Sequence, residues 1–230
     1  MPESAEFDRY AADYKNLVKD PVRDRFAKDA SFFAKRKWIL LQDLFARKNR
    51  PMAGRTWLDV GCGEGDLLRY GRGSFGKLAG CDFSAKMLEA AKDLDDIRVQ
   101  TDPDRLPFGE DEFDLVTAVC VFHHVEPLNR PGLIAEMKRV LKPGGLMCLI
   151  EHNAQNPVVR GMVKRIPVDE NAILLKQQEC KDLMTQAGMK SPETEFFLYL
   201  PQVVFNVLGP MEALGRHVPL GGQYATFSVK

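Results

Sequence analysis

Leu58-Asp59-Val60-Gly61-Cys62-Gly63-Glu64-Gly65-Asp66-Leu67 decides the fold of this chain. The apolar run from Arg55 to Val60 reads as a buried strand, and an amphipathic helix opens at Asp66 and continues to Tyr70. Gly61, Gly63 and Gly65 therefore occupy a strand-to-helix crossover, where a side chain would block a ligand lying against bare backbone. A dinucleotide fingerprint places its third glycine one residue later, to seat a pyrophosphate on the helix N-terminus. The tighter spacing here disfavours an NAD-dependent enzyme. With Asp59 inside the strand, it suits a nucleotide-like cofactor that has no phosphate and offers a cationic amino group to a carboxylate.

Working outward, Leu78-Ala79-Gly80-Cys81-Asp82-Phe83-Ser84 is a second short apolar run ending in an acid and a helix-capping serine. Asp82 falls 21 residues after Gly61, about the interval at which a βαβ unit presents an acid to ribose hydroxyls. An ionised carboxylate accepting two hydroxyl bonds rejects a 2′-phosphate, so the ribose is free. A third strand, Ile97 to Gln100, leads to Thr101-Asp102. Asp102 is placed to accept a hydrogen bond from an exocyclic adenine amine, with Leu106 or Phe108 covering the ring. A fourth strand runs from Phe113 to Cys120.

From Thr56 to Glu151 the chain resembles the class I S-adenosylmethionine-dependent methyltransferases. Leu58 to Leu67 matches their glycine-rich first motif, Asp82 the ribose-binding acid and Asp102 the adenine-side acid. Phe113-Asp114-Leu115-Val116 matches the fourth strand, and Leu141-Lys142-Pro143-Gly144-Gly145 the turn before the fifth. The resemblance implies a Rossmann-like α/β fold: a seven-stranded, mostly parallel sheet with a reversed last strand, helices on both faces and an N-terminal helical lid. The alternation of short apolar strands with helical segments such as Ala85 to Leu94 and Pro131 to Leu141 agrees independently. The resemblance also implies S-adenosylmethionine as cofactor and S-adenosylhomocysteine as product. Asp59 and the Gly61-Cys62-Gly63 backbone then hold the methionine portion. Phe83 and Met87 lie against the adenosine, and the carbonyls near Cys120 and Val121 approach the amino group. By the same resemblance Tyr10 or Tyr14 touches the carboxylate end and Lys37 pairs with it, the alternative being that both tyrosines are core residues of the lid.

A chain of 230 residues accommodates one such domain, 1–230, with a helical lid over 1–50 and substrate-side insertions at 153–176 and 201–222. Helical periodicity in Phe7 to Arg50 supports two or three helices before the sheet. With 32 basic and 32 acidic residues the formal charge is zero, which argues against nucleic acid as partner. No apolar stretch is long enough to span a membrane, and Met1-Pro2-Glu3-Ser4 begins no signal peptide. A cytoplasmic location is expected. Cys62, Cys81, Cys120, Cys148 and Cys180 form no C-x-x-C pair and read as small buried residues. The apolar connection between the last two expected strands, Glu195 to Leu200 and Tyr224 to Val229, suits a hydrophobic acceptor or a second subunit, which makes a homodimer the other expected partner.

Methyl transfer from a sulfonium is an in-line displacement, so the protein chiefly aligns the reactants and supplies a base where the nucleophile starts protonated. Three of the four histidines lie after the fourth and fifth strands, in Val121-Phe122-His123-His124-Val125-Glu126 and Glu151-His152-Asn153. Those are strand C-terminal ends, where open α/β sheets bind ligands. His123, His124, Glu151 and His152 are therefore the catalytic candidates. The bland alternatives are a histidine that caps a helix and a Glu151 paired with Arg160. These four residues are ligand types for a metal, but no pair has i,i+4 spacing and metal-dependent members of the family present other acids, so no metal is expected. The expected function is methyl transfer to a small-molecule acceptor, oxygen slightly favoured. Its alternatives are an N- or C-methyltransferase acting on a quinone-like or polyketide ring, and a non-catalytic S-adenosylmethionine-binding module.

Overall fold

A computed structural model describes residues 6–29 and 31–230. Met1 to Ser4, where no signal peptide was expected, the rest of the first five residues of the 1–50 segment and Ala30 lie outside the described residues. Seven strands form one sheet: β1 (Thr56–Val60), β2 (Lys77–Asp82), β3 (Asp96–Val99), β4 (Phe113–Val119), β5 (Leu141–His152), β6 (Lys190–Phe197) and β7 (Gln223–Val229). Their order is β3-β2-β1-β4-β5-β7-β6. The first five pair in parallel, while β7 runs antiparallel to both β5 and β6. The sheet is thus mostly parallel with a reversed last strand, and successive connections leave β1 in opposite directions, which opens a crevice at the strand C-termini.

Helices α1 (Tyr14–Leu17), α2 (Pro21–Phe26) and α3 (Ser31–Arg47) precede the sheet. Between strands come α4 (Asp66–Tyr70), α5 (Ala85–Leu88), α6 (Arg130–Val140), α7 (Pro157–Val163), α8 (Gln177–Gln186) and α9 (Gln202–Leu208). Period-two alternation sends Trp57, Leu146, Cys148 and Ile150 to one face of the sheet, against Trp38, Leu41 and Phe45 of α3 and Leu68 of α4. Leu58, Val60, Met147 and Leu149 go to the other, against Ile134 and Met137 of α6 and Leu183 of α8. Burial on both faces is why these strands read as continuous apolar runs.

Three elements differ from the sequence reading. The helix expected over Ala85 to Leu94 is α5 alone, capped by Ser84 Oγ on the Met87 N–H (3.1 Å), followed by a 3-10 turn at Glu89–Ala91. Leu141 to Gly145, expected as a turn, lies inside β5. Its backbone stays bonded to the chain end, Gly144 N–H to Lys230 O and Lys230 N–H to Gly145 O, and the register with β4 slips between Phe113 and Leu115 to absorb it. The sixth strand runs from Lys190 to Phe197 rather than from Glu195 to Leu200, because Leu198 turns to φ 62°.

The N-terminal helices lie across the C-terminal edge of the sheet and are pinned there by side chains. Asp8 accepts from Ser84 Oγ, Lys15 pairs with Glu64 at 3.0 Å, and buried Arg36 pairs with Glu212. Asp20 caps α2 through the Val22 N–H (2.8 Å) and receives Arg165 Nε at 2.8 Å. Replacing Asp20 by alanine is expected to cost about 1–2 kcal/mol in urea unfolding, a helix cap and an ion pair together. Arg165→Ala should cost less than about 1 kcal/mol, since the arginine is half exposed.

Candidate functional site

The C-terminal ends of β1, β2, β4 and β5 open into one cavity of about 960 Å³, roofed by the N-terminal helices. That is near the top of the range for small-molecule pockets and leaves room for two reactants. Gly61, Cys62 and Gly63 line one end. Gly61, Gly63 and Gly65 all have left-handed φ, 68°, 52° and 77°. Their remaining constraints differ from the single ligand-clearance reason expected. A Cβ on Gly61 would fall 2.5 Å from Val121 Cγ2, and one on Gly65 would fall 2.6 Å from Leu94 Cδ1, so packing within the protein fixes these two. Gly65 does not line the cavity. Gly63 does, and its N–H donates to Asp82 Oδ2 at 2.9 Å.

Asp82 stands at the end of β2, its second oxygen accepting from the Ser84 N–H at 2.9 Å. Burial raises its pKa, against those two backbone bonds. Phe83, Met87, Gln100 and Thr101 line the wall beside it. Asp102 does not, which corrects its expected place at the adenine side. Its carboxylate turns back to accept from the Asp104 N–H at 2.9 Å, and it borders a separate shallow depression with Arg98 and Arg105. Leu106 and Phe108, expected over a ring, pack in the core beneath that depression. Asp59 lines the cavity from β1 and is buried, with Thr117 Oγ1 donating to it at 2.5 Å. Burial pushes its pKa up to about 7, against the Thr117 bond and the Lys37 charge. Lys37 and Tyr14 line the same cavity. Tyr10 does not; it packs on Phe7 at 5.9 Å and beneath Arg9.

The same cavity is lined by His123, His124 and His152. Cys120, just after β4, has φ 56°, and the turn curls back so that Glu151 Oε1 accepts from the Val121 and Phe122 N–H groups at 3.0 and 2.7 Å. Glu151 Oε2 meets His123 Nδ1 at 2.6 Å. Glu151 and His152 are the last residues of β5 rather than loop residues, and the Arg160 pairing weighed for Glu151 is replaced by His123. Burial alone would raise the Glu151 pKa, but the His123 charge and the donors around it bring it below the ordinary range. His123 is correspondingly held above its usual range by Glu151 and Asp169, although burial opposes this. His152 is pushed down to about 4 by burial and by the His123 charge.

Asp169 completes the cluster from the 3-10 turn Pro167–Asp169. Its Oδ1 lies 3.5 Å from His123 Nε2 and 3.4 Å from His124 Nε2. His124 packs edge-on against Phe7 at 4.9 Å, and the His123 and His152 rings are 5.2 Å apart. One ligand atom from each of His123, His152 and Asp169 falls within 4.8 Å of the others, a set able to hold a metal ion. Gln223 of β7 donates to Cys120 Sγ at 3.2 Å, and its Oε1 is buried without a partner. Asp169 and Gln223 were missed as site residues. Asp169 gave one faint signal, an acid closing the apolar segment Ile166-Pro167-Val168, while Gln223 gave none. Apolar side chains line the cavity as well, Val22, Phe26 and Phe33 from the N-terminal helices and Val159, Met162 and Ile166 from the insertion after β5.

Residues 58–149 match the family described as "Methyltransferase domain". A 2-phytyl-1,4-naphtoquinone methyltransferase of Nostoc punctiforme is 32% identical over 152 residues, covering 61% of this chain and 64% of the relative. A demethylmenaquinone methyltransferase of Staphylococcus aureus is 36% identical over 160 residues, covering 65% and 63%. The chain thus spans less than two thirds of the length of these curated relatives. A solved SAM-dependent methyltransferase of Thermotoga maritima, described as a possible histamine N-methyltransferase, superposes with a TM-score of 0.69 at 18% identity, covering 97% of this chain and 98% of that one. At that identity it speaks for the fold. The matched stretch, residues 58–149, is similar to a methyltransferase domain, and the sheet has the fold of the solved SAM-dependent methyltransferases. Among the described residues no helix is long and apolar enough to cross a membrane, and the five cysteines are free.

The Asp59 environment fixes the sign of a stability effect. An unfolded aspartate loses its proton near pH 3.9, whereas Asp59 in the fold keeps its proton up to about pH 7. The folded protein therefore loses stability as pH rises between these values and levels off above the upper one. Asp59→Asn should remove that decline, becoming more stable than the parent by roughly 2–4 kcal/mol at pH 8 and about equal near pH 4, read by denaturant unfolding across pH.

Proposed function

We propose that this chain transfers the methyl group of S-adenosylmethionine to a small, largely apolar acceptor, with oxygen as the favoured nucleophile. One observation carries the reading: the glycine loop with Asp82 and the histidine–carboxylate cluster line one and the same cavity, together with many apolar side chains. The bare backbone at Gly61 to Gly63 and the acids facing it fit the family's cofactor, which when bound supplies an electrophilic methyl group. Each oxygen of Asp82 has spent one acceptor site on backbone and keeps another for a ribose hydroxyl. Phe83 and Met87 flank the adenosine, with Gln100 and Thr101 at the base in place of Asp102. Asp59 holds the ammonium and Lys37 the carboxylate of the methionine end, beside Tyr14, Cys62 and the carbonyls of Cys120 and Val121.

At the acceptor end, His123 faces a carboxylate on each side and has no free lone pair to take a proton. It orients the cluster together with Glu151. His124 and His152, which line the cavity, are the side chains left to accept the proton of an acceptor hydroxyl. The apolar walls suit a flat ring system, in keeping with relatives named for naphthoquinone and demethylmenaquinone. Equal numbers of acidic and basic residues support a small acceptor over nucleic acid.

Two measurements test this. Asp82→Ala should weaken S-adenosylhomocysteine binding about 30- to 1,000-fold by calorimetry, the loss of two charge-assisted bonds worth about 2–4 kcal/mol; unchanged affinity would remove the ribose assignment. Against a panel of naphthoquinols, phenols and amines, the parent should form S-adenosylhomocysteine only when an acceptor is present, and with the phenolic members first. His124→Ala should cut that turnover at least about 100-fold while cofactor affinity stays within a factor of three. Turnover undiminished in both His124→Ala and His152→Ala would rule out a histidine base.

A further inference from the structure

We propose that His123, His152 and Asp169 form a binding site for one first-row divalent transition-metal ion, supported by Glu151 and open toward the cavity. The argument begins with a contrast of distances. Glu151 Oε2 meets His123 Nδ1 at 2.6 Å, an ordinary charge-assisted hydrogen bond. Asp169 Oδ1 stands back from His123 Nε2 at 3.5 Å, too far for such a bond. Donors each about 2.1 Å from one ion lie about 3.0–3.4 Å apart along a coordination edge, so the wider gap has the spacing of two ligands rather than of donor and acceptor. A donor atom of His152 joins them, the three falling within 4.8 Å of one another.

The tautomer follows from the same contacts. A metal ion displaces the Nε2 proton of His123: Nδ1–H still donates to Glu151, and the freed Nε2 lone pair is directed at the Asp169 side. That is the arrangement in which an outer carboxylate fixes a metal-ligating histidine. Charge points the same way. Glu151 and Asp169 are both buried on either side of His123, with His124 also beside Asp169, and a divalent ion among them balances both carboxylates. Two imidazoles and one carboxylate with a position left open suit zinc, cobalt or ferrous iron rather than magnesium or calcium.

An independent observation comes from β7. Gln223 pairs in register with His152, lines the same cavity and carries a buried Oε1 that bonds to nothing. That oxygen is available to the ion or to a water on it. Ligand spacing in the sequence indicated no metal because the three residues come from separate segments: the turn after β4, the end of β5 and the insertion before α8. The binding claim stands without the transfer reaction. The role that follows from it, holding and polarising the acceptor oxygen with His124 left as base, rests on the function proposed above.

The test uses the full chain, stripped with a chelator and titrated with Co²⁺ under visible absorption and calorimetry. One ion per chain is expected, with d–d bands of a nitrogen–oxygen site, displaced by Zn²⁺. Asp169→Asn and His152→Ala should each lower Co²⁺ affinity at least about 100-fold, Glu151→Gln about 10- to 100-fold, and His217→Ala not at all. S-adenosylhomocysteine binding by each variant shows that it is folded. Absence of stoichiometric Co²⁺ binding by the parent, or binding that survives in both Asp169→Asn and His152→Ala, would overturn the site. Cobalt bound at these residues without turnover on any acceptor upholds the site and counts against the transfer reaction. Methyl transfer without cobalt binding does the reverse.

Discussion

A carboxylate cannot be left alone at the buried end of a parallel strand, and Glu151 shows what the chain does about it. Desolvating an ion of that size costs several kcal/mol unless charge or hydrogen bonds replace the lost water. Glu151 gathers the Val121 and Phe122 N–H groups and the His123 ring. Those donors are reachable only if the chain leaving β4 bends back at once, which it does through Cys120 in a left-handed conformation. The bend points His123 at Asp169 and turns His124 toward the cavity. It also brings Val121 over Gly61, closely enough that a Cβ there would overlap it. One buried acid thus sets the backbone of the β4 turn, the orientation of two histidines and part of the reason for a glycine in the adjacent loop.

Asp82 does comparable work at the end of β2, joining Gly63 of the glycine loop to the N-terminus of α5. The two acids differ in what they keep in reserve. Glu151 is enclosed, and its oxygens are committed to protein donors; Asp82 borders open cavity and retains acceptor capacity. That difference separates a group that positions other residues from one free to meet a ligand. The roof over both ends is held from several elements at once, by Asp20 with Arg165, Arg36 with Glu212, and Lys15 with Glu64. Entry to the cavity therefore depends on contacts that join the N-terminal helices to the insertion, the late connection and the glycine loop.

Much of this was legible in the sequence where the information is local. The glycine triplet, Asp82 one βαβ interval later and the histidines at two strand ends are spaced by strand and helix lengths that the backbone enforces, and each falls at the edge expected of it. Asp102 was misplaced because a strand end gives the position of a residue but not the direction of its side chain; a two-residue turn satisfied that carboxylate with its own backbone. Leu141 to Gly145 looked like a turn by composition, yet pairing with Lys230 at the far end of the chain kept it in the sheet. Asp169 belongs to the cluster through contacts with residues far away in sequence, and spacing carries no record of such contacts.

The central claim is that cofactor and acceptor share the single cavity between Asp82 and the histidines. A crystal structure of the chain with S-adenosylhomocysteine bound tests it most directly. The account predicts both ribose hydroxyls on Asp82, the amino group beside Asp59, and the sulfur facing open space bounded by His124, His152 and Asp169. A ribose away from Asp82, or a sulfur turned from the histidines toward bulk solvent, would contradict it.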